Sequence, residues 1–271
     1  MQTILKIAAV LAGGYALIVA VLALSQTALL FPRWAVGPSP QMPQGTVPLR
    51  LERPDGIELH GYLLPGSGDG DGPPLLGFGG NAWNAADMAL FLHRVFPEHD
   101  VVAFHYRGYR PSTGRPSARG LKDDALAIHD HLLEHAGWNE APVAVGFSIG
   151  AGPAAHLAAH RPLRGLILVT PFDSLTELAR ELYPWLPVAA LLQHRMEPAA
   201  TLKETRSPVA IIAAERDEVI PAARTEALRE ALAHSTPGIV FDHTLPAGHN
   251  DLYARSDIGT ALAAAMARLS E

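Results

Sequence analysis

The chain has 271 residues, a net charge of −6 and a pI near 6.1. That balance gives no basic field for a phosphate backbone and argues against nucleic acid as a partner. The absence of cysteine excludes disulfides, thiolate metal sites and a cysteine nucleophile, and the length suits one α/β domain with a single large core.

Residues 7–24 carry no charge, and the apolar character resumes through Ala28-Leu29-Leu30-Phe31. One helix of that length crosses a bilayer. Two readings of residues 1–31 stand: a retained membrane anchor, or a signal peptide cleaved near Ala23-Leu24-Ser25. The apolar stretch is longer than a usual signal core, which favours the anchor. Lys6 and the α-amino group precede it and Arg33 follows. The positive-inside rule then favours a cytoplasmic N-terminus and a domain on the extracytoplasmic side.

Residues 32–48, rich in Pro, Gly and Gln, read as a linker. Residues 49–271 form the domain. It opens with a β-hairpin over 49–65, turning at Pro54-Asp55-Gly56, and a glycine-rich loop over 66–73. Strands are expected at 74–78, 101–106, 142–147, 165–170, 208–214 and 238–245. Helices are expected at 84–95, 121–135, 151–160 and 221–234, and over most of 251–269. Apolar strands alternating with longer helices imply a mostly parallel sheet with helices on both faces. Only residues 175–201 break the alternation; with Tyr183-Pro184-Trp185-Leu186-Pro187 they read as a short helical cap insert.

The chemistry centres on Gly146-Phe147-Ser148-Ile149-Gly150, a Gly-x-Ser-x-Gly run between a buried strand and an Ala-rich helix. Such a corner pushes the serine hydroxyl out of the sheet. In a doubly wound sheet, working residues gather at the carboxyl ends of strands. Asp217 follows the strand ending at 214, His249 the strand ending at 245, and Gly79-Gly80-Asn81 an early strand. A serine hydroxyl needs a base to take its proton, and the imidazole needs a carboxylate to fix its tautomer. The oxyanion needs preorganised donors, which the Ile149 N–H and the Gly80–Asn81 turn are placed to supply. Glu215, Glu218 and Asp173 are rivals to Asp217, and Asn81 doubles as a candidate cap for the helix at 84. His129, His131 and His135 read as solvated surface rather than a metal cluster. Asp123 and Asp124 read as partners of their helix's dipole.

These residues together resemble the membrane-anchored branch of the α/β-hydrolase superfamily. The likeness rests on Leu29-Leu30-Phe31-Pro32, Gly80-Asn81-Ala82, the segment from Tyr106 to Ser117, the serine pentapeptide, Pro171-Phe172-Asp173-Ser174-Leu175, Asp217 before Val219-Ile220-Pro221, and Gly248-His249-Asn250. It runs from about residue 29 to 252. It implies an α/β-hydrolase fold and a serine hydrolase of acyl esters or thioesters, similar to depalmitoylases and lysophospholipid or monoacylglycerol lipases. Gly79 stands where the family usually has a histidine that braces the oxyanion loop. His105 replaces an aspartate, and Arg110-Pro111 a glycine pair.

The expected catalytic residues are therefore Ser148, Asp217 and His249, with Ile149, Gly80 and Asn81 holding the oxyanion. The reaction calls for no cofactor or metal. The expected partners are a small-molecule or acylated lipid substrate and, through the N-terminal helix, a membrane. A serine peptidase on the same scaffold and a silent hydrolase-fold binding module are the competing readings.

Overall fold

The computed structural model describes residues 1–67, 72–135, 137, 138 and 140–270. Residues 68–71 of the glycine-rich loop read from the sequence lie outside the described residues. Helix α1 (Gln2–Leu30) comes first, then β1 (Val47–Glu52), β2 (Glu58–Leu64), β3 (Leu75–Phe78), α2 (Ala85–Val95), β4 (Val101–Phe104) and α3 (Ala118–His135). After them come β5 (Val143–Phe147), α4 (Ala151–His160), β6 (Gly165–Val169), and the three short helices α5 (Leu175–Leu182), α6 (Val188–Leu191) and α7 (Pro198–Thr201). The last are β7 (Val209–Ala214), α8 (Ala222–Leu232), β8 (Ile239–Leu245) and α9 (Asp257–Leu269).

The strands form one eight-stranded sheet in the order β1-β2-β4-β3-β5-β6-β7-β8. Strands β1 and β2 pair antiparallel, β2 runs antiparallel to β4, and every pairing from β4 to β8 is parallel. The parallel strands are apolar on both faces because helices cover both. Side chains alternate accordingly. Val143, Val145 and Phe147 of β5 meet Met88 and Leu92 of α2 and Leu262 and Met266 of α9. Ala144 points the other way, into a layer with Ile128 and Leu132 of α3, Leu157 of α4 and Leu228 of α8. A third cluster, outside both layers, joins Phe31, Tyr109, Ile149, Phe172, Leu175 and Ile220 over the strand ends.

Four sequence expectations shift. Strand β4 stops at Phe104 rather than 106, because the chain turns where the Tyr109 N–H donates to the Tyr106 carbonyl at 2.8 Å. Helix α3 starts at Ala118, three residues before the expected 121, since the Ser117 hydroxyl accepts from the Gly120 N–H at 3.0 Å. Asp123 and Asp124 thus sit in the second turn rather than at the positive end. Asp124 is buried, not a dipole partner: Arg107 Nε donates to it at 2.7 Å and Arg53 Nε at 3.1 Å. His129 is also buried rather than solvated, packed beside Ile128 and bonded to Asp130. Its position flanks the Ala125–Ile128–Leu132 stripe, so the buried face of α3 is wide enough to take it in.

Asp124→Ala leaves the Arg107 guanidinium, only 10% exposed, without its bidentate partner. Unfolding in urea should show a loss of about 3 kcal/mol or more. A loss below about 1 kcal/mol would mean that the arginine reaches water and that the pair is not structural.

Candidate active site

Strand β5 delivers the chain to Ser148 with φ at +51°, the left-handed region that non-glycine residues avoid. Holding it there costs about 1–3 kcal/mol, which the surrounding fold must offset. The corner closes only because its flanks lack side chains. A Cβ on Gly146 would lie 2.8 Å from Ala154 Cβ, and one on Gly150 2.2 Å from the Phe78 carbonyl oxygen. Helix α4 follows directly, so the Ile149 N–H lies at the start of a helical run with its free donors.

The loops after β7 and β8 bring two more groups to this corner. His249 Nε2 lies 3.0 Å from Ser148 Oγ, and His249 Nδ1 lies 2.8 Å from Asp217 Oδ2 and 3.0 Å from Oδ1. Asp217 is itself held by its own loop, whose Val219 and Ile220 N–H groups donate to Oδ1 at 2.9 and 2.7 Å. Both side chains of this hydrogen-bonded pair are 6% exposed. The rival carboxylates are engaged elsewhere. Glu218 accepts from the His249 backbone N–H at 3.0 Å, a bond that holds its carboxyl below the usual value. Asp173 faces Arg224 at 3.4 Å, and Glu215 is exposed.

The Gly79-Gly80-Asn81 turn lies against the serine: a Cβ on Gly80 would come within 3.9 Å of Ser148 Cβ. The loop has braces that sequence reasoning missed. The Tyr106 hydroxyl donates to the Gly79 carbonyl at 2.8 Å and the Tyr109 hydroxyl to the Asn81 carbonyl at 2.7 Å. Burial pushes both phenols up, so they remain donors at any working pH. The signal was present in the Tyr106-Arg107-Gly108-Tyr109 run, where Arg107 pins the same loop to Asp124. Asn81 does not cap helix α2; Asn84 does, accepting from the Ala86 N–H at 2.9 Å.

Ser148, Ile149 and Asn81 line one cavity of about 270 Å³, whose other walls are almost wholly apolar. Leu175, Leu178 and Leu182 of α5 form one side, and the far half of α1 forms another. A larger groove of about 1370 Å³, lined by Arg33, Arg110 and Arg115, opens beside another face of α1 and does not reach Ser148. The histidine trio read from α3 does not assemble: His131 and His135 stack on each other at 4.5 Å, and no group of three or more metal-binding side chains forms among the described residues.

A sequence profile of the alpha/beta hydrolase fold matches residues 75–191. An uncharacterized protein of Mycobacterium tuberculosis is 36% identical over 205 residues, which is 74% of this chain and 71% of that one. Lysophosphatidylserine lipase ABHD12 of Danio rerio is 29% identical over 210 residues, 67% of this chain, and the match spans 54% of that protein. Among solved structures, a Pyrococcus furiosus esterase superposes with a TM-score of 0.68 at 14% identity, covering 87% of this chain and 96% of its own. A bacterial membrane phospholipase A superposes with a TM-score of 0.59 at 18% identity, covering 100% of this chain and 98% of its own. At such identities the structures speak for the fold. The chain belongs to the α/β-hydrolase family. It also carries one N-terminal helix, of mean hydropathy 2.5, long and apolar enough to cross a membrane.

Proposed function

We propose that this hydrolase cleaves carboxylic esters or thioesters of apolar acyl groups through a serine acyl-enzyme. The observation that carries the reading is the unbroken hydrogen-bonded line from Asp217 through His249 to Ser148, ending at the floor of an apolar cavity. Ser148 Oγ attacks the acyl carbonyl as His249 Nε2 takes its proton. Asp217 holds the Nδ1 proton and stabilises the imidazolium. The Ile149 N–H and the Gly80–Asn81 turn receive the oxyanion. His249 then protonates the departing alcohol or thiol, and a water activated by the same nitrogen releases the acid and restores the serine. The name of the ABHD12 relative, a lysophosphatidylserine lipase, is in keeping with an acyl-lipid substrate.

Tyr106 and Tyr109 position the oxyanion turn without touching substrate. Tyr109→Phe should lower kcat about fivefold with KM little changed, the expected size for one lost hydrogen bond near 1 kcal/mol felt in the transition state. A purely structural role would show instead as a lowered melting temperature with kcat intact.

The test of the reading is covalent labelling by a fluorophosphonate probe on folded wild type and Ser148→Ala. Labelling of the wild type alone is expected. Absence of labelling in folded wild type would refute an activated serine.

A further inference from the structure

Helix α1 does more than tether. Measured from Lys6, the nearest charge to its start, a hydrocarbon layer of about 30 Å takes about 20 helical residues and ends near residue 26. The helix continues to Leu30 without a break. In the second half of the helix Val19, Leu22, Ala23, Gln26, Leu29 and Leu30 recur at helical spacing, on one stripe, and that stripe lines the cavity above Ser148. The neighbouring stripe of Leu17, Val21 and Leu24 takes no part in that cavity and is open to the surroundings, Leu24 at 85% exposure.

The lining stripe is fastened to the domain. Gln26, buried in the second half of α1, donates through Nε2 to the Leu191 carbonyl at 3.2 Å and accepts at Oε1 from the Gln193 N–H at 2.8 Å. Thr27 Oγ1 meets His194 Nε2 at 2.7 Å, and Phe31 is buried at 1% exposure. An amide is costly in an apolar helix unless it has such partners. Further along, the Tyr15 hydroxyl donates to the Trp185 carbonyl at 2.8 Å. The tip of the insert thus reaches back to the middle of the uncharged stretch, and there Tyr183 and Trp185 are half exposed.

Resting on the serine-hydrolase reading above, we infer that α1 is one wall of the acyl-binding site and that the substrate is a membrane-resident acyl lipid. Its chain slides sideways out of the bilayer into the slot between α1 and the α5–α6 insert. The carbonyl then stops at Ser148, while the chain lies along Ala23 and Leu22 towards the lipid. Residues 1–31 are accordingly retained in the working enzyme, since cleavage near Ser25 would remove the Gln26 anchor's own helix and open one side of the slot.

Full-length protein in lipid nanodiscs tests this with para-nitrophenyl butanoate and palmitate. Ala23→Phe should lower the ratio of kcat/KM for palmitate to that for butanoate about tenfold or more, in protein that still labels with fluorophosphonate. Leu24→Phe, on the neighbouring stripe, should change neither. An unaltered palmitate-to-butanoate ratio in labelled Ala23→Phe protein would overturn the wall. A second measurement is independent of catalysis: in Ser148→Ala protein, a palmitoyl ester with a terminal diazirine should crosslink to residues 19–30, and Ala23→Phe should abolish the adduct. Adducts at residues 19–30 that survive Ala23→Phe would overturn it as well. Loss of labelling in wild type, by contrast, would strike the hydrolase reading and leave the crosslink to judge the slot.

Discussion

Ser148→Ala is expected to reduce turnover of an activated ester by a factor of about a thousand or more. The methyl keeps the Cβ at the strained corner, and the Gly146 and Gly150 flanks are untouched, so circular dichroism and the melting temperature should stay near those of the wild type. What remains should be the part due to the cavity and the oxyanion donors alone. For the same reason Ser148→Ala combined with His249→Ala should fall little further than either alone, because the two side chains act as one unit. Wild-type-like turnover of the single variant, measured on protein free of contaminating esterase, would refute the mechanism.

Asp217→Asn should be the more instructive loss, about four orders of magnitude in kcat if the line of hydrogen bonds works as proposed. The reason lies in the loop. Asp217 Oδ1 accepts from the Val219 and Ile220 N–H groups. An asparagine must keep its only oxygen there and turn its NH₂ towards His249 Nδ1. That nitrogen then has to accept, so the ring proton moves to Nε2, the atom that faces Ser148 Oγ at 3.0 Å. The geometry survives but the base points a proton at the nucleophile. Rate measurements should show kcat falling with KM nearly unchanged, and fluorophosphonate labelling slowing by a similar factor. A variant within tenfold of wild type would mean that the carboxylate does not fix the tautomer.

Much of this architecture is legible in the chain because its signals are local. Alternation of short apolar runs with amphipathic ones states a parallel sheet covered on both faces. Gly-x-Ser-x-Gly after such a run states a corner. Asp217 and His249 could be placed because each follows a strand end in the right order. The structure then brings His249 within hydrogen-bonding distance of both Ser148 and Asp217, and sets Glu218 on a backbone N–H instead. What could not be read depends on contacts between distant segments. Asp124 looks like a helix-start charge until Arg107, 17 residues away, arrives to bury it. The tyrosine braces reach the Gly79–Asn81 turn from another loop altogether, so Gly79 looks like a loss when read alone. The hydropathy of α1 likewise announces a span and hides the stripe that faces the domain, since lipid and an acyl chain select the same side chains.

That stripe ties where the protein resides to what it can hold. A soluble version made by starting the chain beyond Phe31 would keep the sheet and the Ser148 corner but face solvent along one side of its slot. Swapping α1 for an anchor from another protein would move the domain to a new membrane while also reshaping its choice of acyl chain. Drift among Leu22, Ala23 and Leu29, harmless to insertion into a bilayer, is therefore a route by which close homologues can acquire different diets without any change near the serine.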